Sequence, residues 1–205
     1  MNISPINFGK KYISKANVID NSTKDRIKMD FVEYEHNGKD LYKVIQASKI
    51  WEERYNENDT YIGSIACDFY ETVLAKGAYS NRHFYGIEDE EGQIQAIVET
   101  SDYDGVKRVY EDYKKPTTLI KYISTNPKSM HKKQNREYSK LGTSLFNSLL
   151  KHFKKDKREI VLNDSSNGFW TTIPNMKVKY QDTSKVCHLA KSNQQNTIAV
   201  LDKRI

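Results

Sequence analysis

The sequence predicts a mixed α/β fold, a largely antiparallel central sheet flanked by helices, and three observations lead there. Short runs of alternating apolar residues are separated by turn-forming residues, as in hairpins. Other stretches repeat their apolar residues at helical spacing. Ile160-Val161-Leu162 is a short continuous apolar run, typical of a strand covered on both faces. At 205 residues the chain suits a single sizeable core.

Residues 1 to 25 mix Pro5, Gly9 and scattered Ser, Thr and Asn with isolated apolar residues, the composition of a partly ordered arm. Residues 26 to 205 then form the one domain. Ile27, Met29 and Phe31 alternate with Lys28 and Asp30, Asn37-Gly38 supplies a turn, and Leu41 to Ile45 reads as the returning strand. Ser48 opens a short helix with Ile50, Trp51 and Tyr55, and a longer one starts at Asp59 or Thr60. The stripe Ile62, Ile65, Ala66, Phe69, Val73 and Leu74 gives that helix a broad apolar face up to the stop at Lys76-Gly77. Trp51, Phe69 and Tyr70 are assigned to the core.

Phe84 to Ile87 and Ile94 to Val98 make a strand pair around Asp89-Glu90-Glu91-Gly92, and Ser101 to Lys115 is a polar connection. The helix from Gly142 to Phe153 carries Leu141, Leu145, Leu149 and Phe153 four apart, with basic residues crowding its end. Beyond Ile160 to Leu162 lie an Asn, Ser and Gly loop, the pair Phe169-Trp170, and closing strands at Val178 to Tyr180, Val186 to Leu189 and Thr197 to Leu201.

The 33 Lys plus Arg against 27 Asp plus Glu leave +6, a field that favours anionic partners without dictating nucleic acid. Cys67 and Cys187 are too far apart, and in too different settings, to suggest a disulfide framework or a metal site. No apolar run approaches a membrane span and the N-terminus lacks a signal-peptide core, so a cytoplasmic protein with no membrane partner is expected.

The stretch from Thr117 to Phe153 organises the functional reading. A strand feeds a basic polar loop, Asn126 to Lys140, that ends on a helix start. The first N–H groups of a helix lack internal acceptors and lie at the positive end of its dipole, so this junction suits a phosphate. Lys128, His131, Lys132, Lys133, Arg136 and Lys140 crowd the loop with Tyr138 among them, which also suits RNA or an acidic protein.

The segment Glu137-Tyr138-Ser139-Lys140-Leu141-Gly142, following a strand and opening a helix, resembles the acyl-CoA-binding segment of the GNAT superfamily of N-acetyltransferases. That family carries Gln or Arg, two residues, Gly, one residue, and Gly or Ala there. Glu137 replaces the first residue and Lys140 the first glycine, while Leu141 and Gly142 match. A second segment supports the likeness. Asn163 follows a strand, and Phe169-Trp170 stand where the family has an apolar residue and a tyrosine.

The resemblance implies a GNAT-like fold and an N-acetyltransferase that takes acetyl-CoA as co-substrate and acetylates a primary amine by direct attack. Tyr138, Ser139, Lys140, Leu141, Gly142 and Thr143 would receive the pyrophosphate, with Ile123, Ser124, Asn163, Phe169 and Trp170 along the rest of the acyl-CoA. Glu99, at the end of the third strand, is the expected general base, ahead of Asp102 and His131. Trp170 holds no usable acidic proton, so Tyr180, a nearby hydroxyl or solvent is expected to protonate the leaving thiolate, or the step is unassisted, with Tyr180 the residue named for the role. The competing reading is a catalytically inactive protein of the same fold that uses its basic loop for RNA or an acidic protein. Nucleic acid is the less favoured partner, and the terminal strand Thr197 to Leu201 leaves room for a dimer.

Overall fold

The computed structural model describes residues 10–54, 60–75, 81–102, 117–130, 135–154, 159–164, 176–182 and 196–201. The chain divides into two compact units. The first holds Met1–Thr100 with Tyr122–His152, the second Ser101–Lys121 with Phe153–Ile205.

In the first unit, β1 (Lys11–Asp20) and β2 (Arg26–Tyr34) precede the helices α1 (Gly38–Arg54) and α2 (Thr60–Leu74). β3 (Arg82–Glu88) and β4 (Ile94–Asp102, to Thr100 in this unit) follow, then Tyr122–Thr125 of β5 (Thr117–Thr125). A 3-10 turn (Pro127–Ser129) and the two-residue β6 (Tyr138–Ser139) lead into α3 (Leu141–Lys154). The strand order is β6-β1-β2-β3-β4-β5, and β1 to β3 pair antiparallel.

Alternation along β2 explains the layering. Val32 and Tyr34 join Val44 and Trp51 of α1, and Ile65 and Phe69 of α2, in one buried cluster. Phe31 lies on the other face, where its ring stacks on Tyr85 at 5.9 Å and meets His152 of α3 at 6.4 Å. Leu145, Phe146 and Leu149, the apolar stripe of α3, are all buried. Burying side chains of this size contributes roughly 1.5–3 kcal/mol each.

Three expectations are corrected. Residues 11 to 20, expected within a partly ordered arm, form β1, because Ala16 and Val18 alternate with polar residues and bury against Met29 and Ile27. Leu41 to Ile45, expected as a returning strand, lies inside α1. Asn37 acts there as a helix cap, its Oδ1 accepting from Asp40 N at 2.9 Å and its carbonyl from Leu41 N at 3.0 Å. Tyr70, assigned to the core, is 49% exposed on α2, whereas Trp51 and Phe69 are buried.

The β3–β4 pair turns as expected at Asp89 to Gly92, with Gly92 at φ +75°. Gly86 is required for space. A Cβ there would stand 2.5 Å from the Tyr34 hydroxyl and 3.0 Å from the Ala96 carbonyl. Beside it, Glu88 is fully buried and takes ion pairs from Lys10 and from Lys43, the latter at 2.5 Å. Burial and the Glu88 charge hold the Tyr34 phenol well above its usual pKa.

In the second unit, Thr117–Ile120 of β5 pair parallel with residues 159–162 of β7 (Glu159–Asp164). β9 (Asn196–Leu201) pairs antiparallel with β7 and with β8 (Met176–Asp182), giving the order β5-β7-β9-β8. Thr117 to Ile123 and Ile160 to Leu162 lie in strands, as expected from the sequence. The expected strand Val186 to Leu189 lies outside the described residues.

Candidate functional site

The junction between β5 and α3 is built by backbone hydrogen bonds more than by side chains. At the end of β5, Asn126 N donates to the Gln95 carbonyl at 2.8 Å and Asn126 Nδ2 to Gln95 Oε1 at 2.9 Å. The chain then turns through Pro127–Ser129, where Asn126 Oδ1 accepts from Lys128 N at 3.1 Å. Glu137 N returns to the Lys128 carbonyl at 2.9 Å and Tyr138 N to Ser129 Oγ at 3.0 Å, so the two ends of the loop are held together.

The far side of the junction is clamped to β1. Tyr138 and Ser139 pair with Asp20 and Ile19. Asn21 receives the Ser139 hydroxyl at 2.7 Å and donates to the Arg136 carbonyl at 2.8 Å, and its own N–H reaches the Glu137 carbonyl at 2.9 Å. Ser144 Oγ of the first helical turn donates to the Asn17 carbonyl.

Lys140, immediately before the helix, has φ +66°. This is the left-handed region that glycine enters freely and that costs other L-residues roughly 1–2 kcal/mol. It is also the position where the resembled segment carries its first glycine, the residue that enters this region most freely. The Lys140 carbonyl accepts the first helical bond, from Ser144 N at 2.8 Å. The N–H groups of Leu141, Gly142 and Thr143 lie ahead of that bond and lack intrahelical acceptors. A Cβ on Gly142 would meet Thr125 Cγ2 at 3.8 Å, so the first turn of α3 packs over the end of β5, next to Ile123 and Ser124.

A cavity of about 770 Å³ opens beside this junction, between α1 and the ends of the strands. Tyr138, Glu137 and Asn126 form one wall, and Gln46, Ile50 and Trp51 of α1 another. Burial first, and the Glu137 charge second, push the Tyr138 phenol up to about 12, so it holds its proton at neutral pH.

The structure thus sets Gly142 against Thr125, the last residue of β5, which carries Ile123 and Ser124 just before it. Glu99 is fully buried on β4, with Oε1 3.9 Å from Arg82 Nε. It lies four residues along the strand from Gln95, roughly 13 Å at strand rise. Asp102 ends β4, and His131 lies outside the described residues. Asn163 and Tyr180 fall in β7 and β8 of the second unit, where both are opposite Ile198 of β9. Phe169 and Trp170 lie outside the described residues.

Two features went unread in the sequence: the Asn21 clamp, whose donors and acceptors come from residues more than 100 positions away, and the positive φ of Lys140. Only the glycine of the resembled segment hints at the second.

No family model and no curated protein matches the chain. Among solved structures it is similar to a Desulfovibrio desulfuricans protein described as an acetyltransferase of the GNAT family. The TM-score is 0.57 at 11% identity, over 85% of this chain and 98% of that one. It is similar to the histone acetyltransferase HPA2 and related acetyltransferase of Corynebacterium glutamicum, with TM-score 0.53 and 11% identity over 92% and 96% of the chains. It is also similar to RimL, a ribosomal alpha-N-protein acetyltransferase, with TM-score 0.51 and 9% identity over 83% and 88%. At such identities the likeness is one of fold, and the fold is that of the GNAT acyl-CoA N-acyltransferases.

Proposed function

We propose that this chain, which has the GNAT fold and resembles a divergent member of that superfamily, is an N-acetyltransferase that moves an acetyl group from acetyl-CoA to a primary amine. The observation that carries the reading is Lys140. Its left-handed backbone turns the chain into α3 so that three N–H groups without intrahelical acceptors follow a cationic side chain. That set fits a pyrophosphate, which needs close N–H donors and positive charge.

In this reading residues 138 to 143 hold the pyrophosphate, and Ile123 and Ser124 offer backbone groups to the reacting end, with Asn163, Phe169 and Trp170 completing the acyl-CoA contacts. The acceptor enters the cavity beside Tyr138. Attack needs a neutral amine, and Glu99, which does not line the cavity, is assigned as the base that takes its proton through a water relay. The nitrogen lone pair adds to the thioester carbonyl, N–H donors stabilise the oxyanion, and the C–S bond breaks. Tyr180 is assigned to protonate the leaving thiolate.

Thermal unfolding with acetyl-CoA, set against a salt-matched polyphosphate, tests the reading. Acetyl-CoA at about 100 times its Kd should stabilise the protein by about 2.7 kcal/mol, and polyphosphate far less. Equal shifts would remove the acyl-CoA site and leave the alternative, a non-enzymatic binding protein of the same fold. Glu99→Gln should lower kcat by about 10²-fold while leaving the acetyl-CoA shift in place. A variant with full kcat would strip Glu99 of its role.

A further inference from the structure

A second groove, of about 380 Å³, runs between the outer edge of β1 and one stripe of α3. β6 covers β1 only at Ile19 and Asp20, so among the described residues the edge from Lys11 to Asn17 has no strand beyond it. Unpaired edge N–H and C=O groups invite another strand. One of them already recruits a substitute donor, since the Asn17 carbonyl takes the Ser144 hydroxyl.

The charged residues of the groove are all cations, set among polar residues and the apolar Ala16, Val18 and Ile19. Lys15, Arg26, Lys140 and Lys151 line it together with serine, threonine and asparagine, and no acidic side chain contributes. Lys15 is paired with Asp30 at 2.5 Å, whereas Arg26, Lys140 and Lys151 have no carboxylate partner among the described residues. Among the described residues these three charges are open to an acidic partner.

The lining decides between occupants. It contains no aromatic residue, so it lacks the stacking platform that single-stranded nucleic acid uses. A second copy pairing edge to edge would bring a second set of groove cations beside the first with no acidic side chain between them, and like charges brought together destabilise the pair.

We propose that this groove docks an extended acidic segment of a partner protein, which adds to β1 as a strand while its carboxylates meet Arg26, Lys151 and Lys15. The inference is tested separately from acyl transfer, because the β1 edge, Arg26 and Lys151 lie outside residues 138 to 143, whereas Lys140 and Thr143 border both sites.

Fluorescence anisotropy with the full chain and a labelled peptide of alternating glutamate and threonine tests it. The peptide should bind saturably. A glutamine-for-glutamate version should bind about tenfold more weakly. A version N-methylated at alternate residues keeps its charge but loses strand hydrogen bonds, and it should also lose about tenfold. Arg26→Glu with Lys151→Glu should cost at least about tenfold with an unchanged melting curve, and the milder Arg26→Gln with Lys151→Gln a smaller loss in the same direction. Equal binding of the N-methylated peptide, an affinity unchanged by both double variants, or tighter binding of a uridine oligonucleotide would each overturn the proposal.

Discussion

The two cavities of the first unit treat charge in opposite ways. The larger, beside α1, is lined by Asp20, Asp89, Glu90, Glu91 and Glu137 and by Lys28, Lys43 and Lys128. Several of these charges are answered in the cavity wall or next to it. Asp89 takes the Gln95 amide at 2.7 Å and the Gln93 N–H at 2.8 Å, Glu91 takes the Gln93 amide at 2.8 Å, and Lys43 holds Glu88 at 2.5 Å. The smaller groove carries cations alone, three of them without a carboxylate among the described residues. Where charges are internally paired they serve the fold, and removing one disturbs it. Where they are left open they cost the fold little and serve a partner.

The sharpest way to break that contrast is Glu88→Gln. It keeps the shape of a fully buried side chain but leaves Lys10 and Lys43, about a third exposed, facing each other without their shared carboxylate. Removing one member of a fully buried ion pair costs about 3–5 kcal/mol, and the partial exposure of the lysines lowers this to about 2 kcal/mol. Denaturant unfolding measures it. A loss below about 0.5 kcal/mol would show that the paired region is as indifferent to charge as the open groove.

The next effect sharpens the distinction within one residue. Lys140 belongs to the open groove by its side chain and to the α3 junction by its strained backbone. Lys140→Gly should relieve the left-handed strain and, after the entropy that glycine adds to the unfolded chain, stabilise the protein by about 0.5–1 kcal/mol. The same variant loses a charge beside the proposed pyrophosphate and should shrink the acetyl-CoA thermal shift. Stability and ligand response moving in opposite directions is the expected signature. Movement in the same direction would mean that the lysine side chain contributes to the fold.

The same contrast separates what the sequence made legible from what it did not. Apolar spacing placed α2, α3 and the β3–β4 pair, because burial against a core imposes a period that local residues must satisfy. β1 escaped notice because only Ala16 and Val18 carry its buried face in an otherwise polar strand. Asn37-Gly38 misled because an asparagine that favours a tight turn is equally able to cap a helix, and the choice was made by the packing of Val44 and Trp51. At the site, the order strand, loop, helix was readable. The clamp through Asn21 and the bend at Lys140 were not, since one is a long-range contact and the other a conformation that lysine rarely adopts.

A smaller effect concerns acid. Glu33 accepts from the His83 side chain, with Nδ1 to Oε1 at 3.5 Å, and Lys11 lies beyond it at 3.4 Å. The His83 hydrogen bond first, and the Lys11 charge after it, hold the Glu33 carboxyl below its ordinary 4.5. A carboxylate whose folded pKa is depressed contributes stability that is complete above its unfolded pKa and is lost as pH falls through the folded value. Glu33→Gln should therefore flatten the fall in stability below about pH 4.5 and change little at pH 7 by this route. An unchanged acid limb in urea melts would remove Glu33 from the paired set.

The smallest effect is expected at the open groove, and its smallness is the point. Arg26 and Lys151 are exposed, and neither has a carboxylate partner among the described residues. Replacing both by glutamine removes two like charges from one groove, so lost packing and relieved repulsion roughly offset. Surface substitutions of this kind stay within about 0.5 kcal/mol. The change should be near zero or slightly stabilising, most visibly at low ionic strength, where repulsion between exposed cations is least screened. A loss above about 1 kcal/mol would place these residues among the structural charges and erase the difference between the two cavities. Stability held constant while the affinity for an acidic strand falls is the combination that a docking groove requires and a structural one cannot produce.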